Sequence, residues 1–229
     1  MIKEKKSYEG HRSRLRERFA KAGFEGLHDY EILELLLAYA IPRKDTKLVA
    51  KNLIAKFETI KKVFDTPVEK LKEVDGMGEN SALFIKVLRA TISEYFKDTA
   101  KERKGFKTLG ELVNYLRAVI GGDGNEIVHA LYLNSKNELL HSENLGEGTV
   151  SEAVAFPRKI VEGALRHNAT SVILAHNHPG GLPEPSDNDN MLTDNVKKAL
   201  MTVNISLQEH VIISDDGFYS YKRSGYFEN

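Results

Sequence analysis

The chain has 229 residues, of which 41% are hydrophobic; 33 Lys and Arg balance 33 Asp and Glu, and cysteine is absent. This length accommodates one or two domains with buried cores, and the lack of cysteine excludes disulfides and cysteine-ligated metal sites. The N-terminus lacks the apolar core of a signal peptide and no apolar run could span a bilayer, so we expect a cytoplasmic protein without membrane contact.

The balanced net charge hides an asymmetry along the chain. Residues 1–104 carry 23 Lys and Arg against 17 Asp and Glu, whereas residues 105–229 carry 10 against 16. Much of the basic excess lies in the four arginines of residues 11–18, which could contact phosphates. A charge run alone is more typical of a solvated helix face.

The first part of the chain is predicted to be all-α. Apolar residues recur every three or four positions through residues 30–57, and Pro42 and Pro67 are expected to end helices. Residues 97–104 have no apolar side chain longer than alanine, which indicates a linker. The predicted domains are therefore residues 1–100 and 105–229.

Residues 71–82 resemble a helix-hairpin-helix. In that motif, closely spaced glycines allow a tight turn that presents backbone N–H groups to a DNA phosphate without reading sequence. The candidate DNA-binding residues are Gly76, Gly78, Lys86 and Arg89. Asp75 and Glu79 weaken this interpretation, and the alternatives are an ordinary packing corner or a protein contact.

The second part mixes strands with helices. Residues 127–133 and 138–141 alternate around a turn and predict a hairpin, and residues 209–214 and 218–222 predict a second one. Residues 156–166 and 186–200 are predicted helices, and residues 172–175 a buried strand. This order favours an α/β or α+β fold with a mixed sheet.

A metal-site pattern follows the buried strand. His176 and His178 are separated by one residue where the strand enters a Gly- and Pro-rich loop, and Ser186 is a good helix N-cap with Asp189 at position N3. Two imidazoles and a carboxylate are a ligand set that catalytic zinc uses, with a fourth position open to water. The alternatives are a simple capping pair and histidines with structural roles.

His176, His178, Ser186 and Asp189, with Pro179 after the second histidine, resemble the JAMM (MPN+) signature of zinc metalloproteases and deubiquitinating isopeptidases. The whole chain resembles the bacterial RadC family. The resemblance implies a C-terminal MPN/JAMM-like, cytidine-deaminase-like domain in which His176, His178 and Asp189 bind zinc. It also implies that Ser186 stabilises the oxyanion and that an upstream glutamate activates the water.

Glu126 is our candidate for that glutamate, because it stands at the head of the strand predicted for residues 127–133. The alternative is an exposed carboxylate at a strand edge, in which case Glu147 and Glu152 are the next candidates. His210 is a candidate fourth ligand, although a partly buried strand histidine is the more common outcome. Gly180 and Glu209 depart from the RadC pattern, which commonly has serine and aspartate at these positions.

Two classes of function follow. The first is a zinc metallopeptidase that cleaves a peptide or isopeptide bond in a protein or peptide substrate, with an N-terminal domain that recruits it to DNA or to a partner. The second, to which the resemblance to the RadC family points, is a DNA-binding factor or metal-dependent nuclease of DNA repair. The metal ligands fit this class as well, since a metal-activated water could also attack a phosphodiester. The acidic second part would repel a polyanion and favours amide hydrolysis. The sequence does not predict the oligomeric state.

Overall fold

The computed structural model describes residues 7–102, 104–122, 124–147 and 156–228. Within these residues the chain divides into two compact units, one up to Thr91 and the other from Ile92 onward. The first unit is helical and the second combines helices with a mixed sheet, which confirms the predicted fold class.

The first unit is built from short helices and the beginning of a long one. Their bounds are α1 Ser7–Ala22, α2 Asp29–Ala40, α3 Lys47–Phe57, α4 Ile60–Asp65, α5 Val68–Lys72 and α6 Glu79–Glu102. Pro42 follows α2 and Pro67 caps α5, so both prolines mark helix boundaries as predicted. Apolar residues of α2 to α6 form the core of this unit, among them Leu33, Leu37, Leu53, Val63, Leu71 and Ile85.

The polar stretch predicted to be a linker is helical up to Glu102, which corrects that expectation. Its lysines, Ala100 and Glu102 are good helix formers, and Lys97 pairs with Glu94 at 2.7 Å one turn earlier. Ala100 is buried in the second unit's core and Phe96 packs against it. A lack of large apolar residues therefore did not indicate irregular backbone here.

In the second unit the described strands form one five-stranded sheet in the order β2-β1-β3-β4-β5. The bounds are α7 Leu109–Val119, β1 Ile127–Leu133, β2 Leu139–Glu147, α8 Phe156–Arg166, β3 Ser171–His178, α9 Asp187–Met201, β4 Ser206–Ser214 and β5 Phe218–Ser220. β3 runs parallel to β4, and the other neighbouring pairs are antiparallel. Both predicted hairpins are present.

The two faces of the sheet bury separate cores. One core packs α8 and α9 against β1 and β3 through residues such as Val128, Leu174 and Val196. The other packs α7 and the end of α6 against the opposite face through residues such as Leu116 and Leu131. Because helices cover both faces, every residue of β1 is buried.

Strand directions bring distant residues to one end of the sheet. Val128 near the start of β1 lies opposite His176 near the end of β3, and His178 lies opposite Ser214 at the end of β4. The loop after β3 leads into the N-terminus of α9. Across the described part of the chain, no helix combines the length and hydropathy that a bilayer crossing requires.

Candidate metal centre

Strand β3 presents His176 and His178 on one face, since side chains alternate along a strand with a period of two. The His176 side chain is fully buried, whereas 20% of the His178 side chain is exposed. His178 is the last residue of the strand, and its Nδ1 lies 3.0 Å from the carbonyl oxygen of Leu182 in the following loop. Nδ1–H therefore donates to that carbonyl, and Nε2 is the free nitrogen.

The N-terminus of α9 supplies Asp189. Ser186 is the N-cap, and the predicted capping pair with Asp189 is present. Oδ2 of Asp189 accepts hydrogen bonds from the Ser186 backbone N–H at 2.8 Å and from its hydroxyl at 2.6 Å. Oδ1 faces His176, while Oδ2 is also the oxygen nearer to His178.

The nitrogen and oxygen atoms of these three side chains converge. His176 Nε2 lies 3.0 Å from His178 Nε2 and 3.1 Å from Asp189 Oδ1, and His178 Nε2 lies 3.5 Å from Asp189 Oδ2. The half-buried Glu126 joins them, so that ligand atoms of all four residues lie within 4.8 Å of one another. The structure thus brings together the three predicted ligands and the predicted base.

This donor set fits a divalent cation. Asp189 Oδ1 is buried and has no hydrogen-bond donor within the described part of the chain, and a buried acceptor without a donor is costly. Two imidazole nitrogens and two carboxylates at these separations bring lone pairs and negative charge together, which a cation would stabilise. The cluster is therefore a candidate metal-binding group of His and acidic residues.

The two carboxylates have opposite pKa shifts. Burial by itself raises the pKa of Asp189, but the neighbouring His176 and His178 outweigh it, so the pKa lies well below its usual value and the group stays ionised. Burial raises the pKa of Glu126, and the charge of Asp189 adds to that effect against the two histidines. A carboxylate suited to bind a cation thus lies beside one suited to exchange protons.

Asn177, between the two histidines, faces the other side of β3 and was not singled out from the sequence. Its Oδ1 accepts the Ile127 N–H at 2.7 Å and its Nδ2 donates to the Asn125 carbonyl at 2.9 Å. It therefore holds the backbone on both sides of Glu126. Only the strand register reveals this contact, because 50 residues separate Asn177 from Ile127.

His210 lies behind His176 and not among the converging atoms. Its Nε2 is 2.9 Å from His176 Nδ1, and its Nδ1 is 2.7 Å from the hydroxyl of Thr193. Glu209 supports this part of β4, since its carboxylate accepts the His210 N–H at 2.8 Å and the Ser220 hydroxyl at 2.6 Å. The glutamate thus has structural partners where the RadC pattern commonly has aspartate.

Glu147 and Glu152 are the alternative candidates for the base. Glu147 ends β2, and Glu152 lies outside the described residues. Gly180 has a φ of +66°, which glycine adopts without strain in the loop after His178.

The predicted DNA-binding residues of the first unit have intramolecular roles. Lys86 Nζ donates to the carbonyls of Phe64 at 2.9 Å and of Asp65 and Thr66 at 3.3 Å. Arg89 Nε lies 2.8 Å from the carboxylate of Asp65. Both cations therefore stabilise the end of α4.

The two glycines shape the turn before α6. Gly76 has a φ of +85°, and a Cβ there would lie 2.5 Å from Cγ2 of Val49. The Gly78 N–H donates to the Ser81 hydroxyl at 2.8 Å. Close packing against Val49 requires a glycine at position 76. The N–H of Gly78 already has a hydrogen-bond acceptor, the hydroxyl of Ser81.

The arginines of α1 divide into two pairs. Arg12 donates to the carbonyls of Ile41, Pro42 and Lys44 in the loop after α2, and Arg18 pairs with Glu31 at 2.8 Å. Arg14 and Arg16 are exposed. Arg18 is exposed as well, but its guanidinium is engaged by Glu31, so Arg14 and Arg16 best match the solvated basic surface expected from the sequence.

Comparisons with known proteins match both parts of the chain. Residues 106–226 match the model of the RadC-like JAB domain, and residues 9–83 match the UPF0758 N-terminal domain. The chain is 40% identical over 227 residues to the UPF0758 protein FN0909 of Fusobacterium nucleatum subsp. nucleatum, covering 96% of this chain and 98% of the relative. The chain therefore belongs to the RadC-like JAB-domain family, with a UPF0758 N-terminal domain before the JAB domain.

Proposed function

We propose that this protein is a zinc-dependent hydrolase that cleaves peptide or isopeptide bonds. The observation that carries the proposal is the convergence of His176 Nε2, His178 Nε2 and Asp189 Oδ1, with the Glu126 carboxylate within 4.8 Å. The membership of residues 106–226 in the JAB-domain family supports it.

His176, His178 and Asp189 would hold the metal. Two imidazoles and one carboxylate match a catalytic zinc set of three protein ligands. When bound, the ion would polarise the scissile carbonyl and lower the pKa of a water molecule. Ser186 would keep the Asp189 side chain aligned through its two hydrogen bonds to Oδ2.

Glu126 would act as the general base. Its position at the head of β1 places it beside the ligands, and burial raises its pKa toward the range in which a carboxylate accepts and returns protons. It would accept a proton from the attacking water and deliver it to the leaving amine, which balances the hydrolysis of an amide.

Ser186 would contribute an oxyanion contact. Its hydroxyl donates to Asp189 Oδ2, so it would have to rotate toward the substrate oxygen to do so. Ser186→Ala separates the two roles: an alignment role alone predicts lost zinc affinity, whereas an oxyanion role predicts lost turnover at full zinc occupancy.

The test combines metal analysis with turnover. We expect the purified protein to contain about one zinc per chain and to cleave some members of a panel of fluorogenic peptides and isopeptide-linked peptides. The double variant His176→Ala, His178→Ala should lose both. Unchanged zinc content in the double variant, or zinc-dependent cleavage of DNA without cleavage of any amide, would contradict the proposal.

A further inference from the structure

A chain of hydrogen bonds runs behind the candidate metal centre. It joins His176 Nδ1 to His210 Nε2 at 2.9 Å, His210 Nδ1 to the Thr193 hydroxyl at 2.7 Å, and that hydroxyl to the backbone carbonyl of Asp189 at 2.6 Å. All four residues are buried, with at most 1% of any of them exposed. Water therefore does not compete for these bonds.

The last hydrogen bond, to the Asp189 carbonyl, determines which group donates in each of the other bonds. The Asp189 carbonyl can only accept, so the single hydroxyl proton of Thr193 lies on that bond. His210 Nδ1–H must then donate to Thr193. A neutral imidazole carries one N–H, so His210 Nε2 accepts from His176 Nδ1–H, and the lone pair of His176 lies on Nε2.

This direction matters because the surroundings of His176 Nε2 favour the opposite arrangement. Asp189 Oδ1 lies 3.1 Å away, and without a metal it would attract a proton to Nε2. A nitrogen that carries a proton has no lone pair for a metal ion. An acceptor beside Nδ1 opposes that transfer.

We infer that His210 and Thr193 are positioning residues that hold the proton of His176 on Nδ1 and thereby set the metal affinity of the centre. The inference rests on the proposed function in one respect, the assignment of His176 as a ligand. The chain also connects two ligands, because Asp189 contributes its side chain to the metal centre and its backbone carbonyl to the end of the chain.

The ring of His210 is held in the orientation that this role requires. It stacks on Tyr221 with ring centroids 4.6 Å apart and an interplanar angle of 9°, and its backbone N–H donates to Glu209. Tyr221 is in turn fixed by its hydroxyl, which donates to Asn190 at 3.0 Å. The contact to His176 is therefore part of a packed arrangement.

The test measures zinc affinity of the full chain by competition with a chromophoric chelator. His210→Phe keeps an aromatic ring against Tyr221 but offers no acceptor, and Thr193→Val keeps the shape but offers no hydroxyl. We expect each to weaken zinc binding about ten- to a hundredfold. His210→Gln and Thr193→Ser retain hydrogen-bonding groups and should recover most of the affinity.

A second measurement determines which ring nitrogen of His176 carries the proton. Nitrogen-15 NMR of the metal-free wild-type protein should show His176 as the Nδ1–H tautomer, and Thr193→Val should shift it toward Nε2–H. An Nε2–H tautomer in the wild type, or wild-type zinc affinity in folded Thr193→Val, would overturn the inference. Absence of zinc binding by the wild type would instead overturn the proposed function. The tautomer of His176 would still show whether His210 and Thr193 hold its proton on Nδ1.

Discussion

Asn177 accepts the backbone N–H of Ile127 at 2.7 Å, and the same carboxamide donates to the carbonyl of Asn125. The residue between two candidate metal ligands therefore fixes the backbone of the candidate base. Because side chains alternate along β3, one tripeptide supports both sides of the centre: His176 and His178 converge on one face, and Asn177 holds Glu126 from the other.

Replacing Asn177 should separate positioning from metal binding. Asn177→Ala leaves the Ile127 N–H and the Asn125 carbonyl without their partner, which we expect to cost about 1–3 kcal/mol of unfolding free energy. Turnover should fall more steeply than zinc content, because Glu126 is no longer held. Asn134→Ala is the matched control, since the Asn134 side chain also makes two hydrogen bonds to the backbone, accepting the N–H groups of Lys136 and Glu138 in the β1–β2 turn. Equal loss of turnover in both variants would mean a general effect of stability.

The base and the ligand should respond differently to loss of charge. Glu126→Gln should retain zinc and lose turnover about a hundredfold or more, because an amide cannot accept the proton. Asp189→Asn should lose zinc and turnover together, since a neutral amide replaces an anionic ligand. Metal analysis and turnover on one substrate distinguish the two. Near-normal turnover of Glu126→Gln would assign the base to another carboxylate, with Glu147 and Glu152 next.

Duplex DNA binding by the full chain should depend on exposed arginines and not on the cations that cap α4. We expect binding without sequence preference that falls steeply with salt, weakened in the double variant Arg14→Ala, Arg16→Ala. Lys86→Met should leave DNA affinity unchanged and lower the unfolding free energy by about 1–3 kcal/mol, because three carbonyls lose their donor. Fluorescence anisotropy across a salt series and urea unfolding provide the measurements. Undetectable binding at low salt would contradict this prediction and would make the first unit a protein-contact or packing domain.

Gly163 should be intolerant of a methyl group. A Cβ there would collide with the hydroxyl of Tyr132, which is buried and donates to Glu143 at 2.9 Å. Gly163→Ala should therefore cost about 1–3 kcal/mol through overpacking. Gly110→Ala, in helix α7 and with no contact closer than 3.8 Å, should instead stabilise by up to about 1 kcal/mol. Urea unfolding compares them, and equal effects would refute the packing argument.

His129 should contribute to acid sensitivity. Burial lowers its pKa to about 4, with the Asn144 hydrogen bond opposing that effect. The unfolded chain takes up a proton near pH 6.5 and the folded chain does not, so the unfolding free energy should fall between about pH 6.5 and about pH 4, by up to about 3 kcal/mol. His129→Leu removes this group, so its unfolding free energy should fall less over that range. Parallel stability curves for wild type and variant would contradict this assignment.

Local patterns predicted the parts of the molecule that local geometry determines. The two-residue spacing of His176 and His178 and the N-cap pair of Ser186 with Asp189 depend on one strand and one helical turn. The contacts of Asn177 and Thr193 depend on pairing between distant segments, which no spacing encodes. Lys86 and Arg89 were predicted to bind DNA because their positive charge is visible in the sequence. Their intramolecular partners, three carbonyls and a carboxylate, are visible only in the structure.

Helix α6 continues past the division between the two units, and this has a practical consequence for fragments of the chain. A recombinant JAB domain that begins at residue 105 would lack Phe96 and Ala100, and would leave apolar side chains of α7 such as Tyr115 uncovered. Such a fragment should aggregate or bind hydrophobic dyes, whereas one that begins at Ile92 retains these residues. The choice of the first residue thus decides whether an isolated domain can be purified.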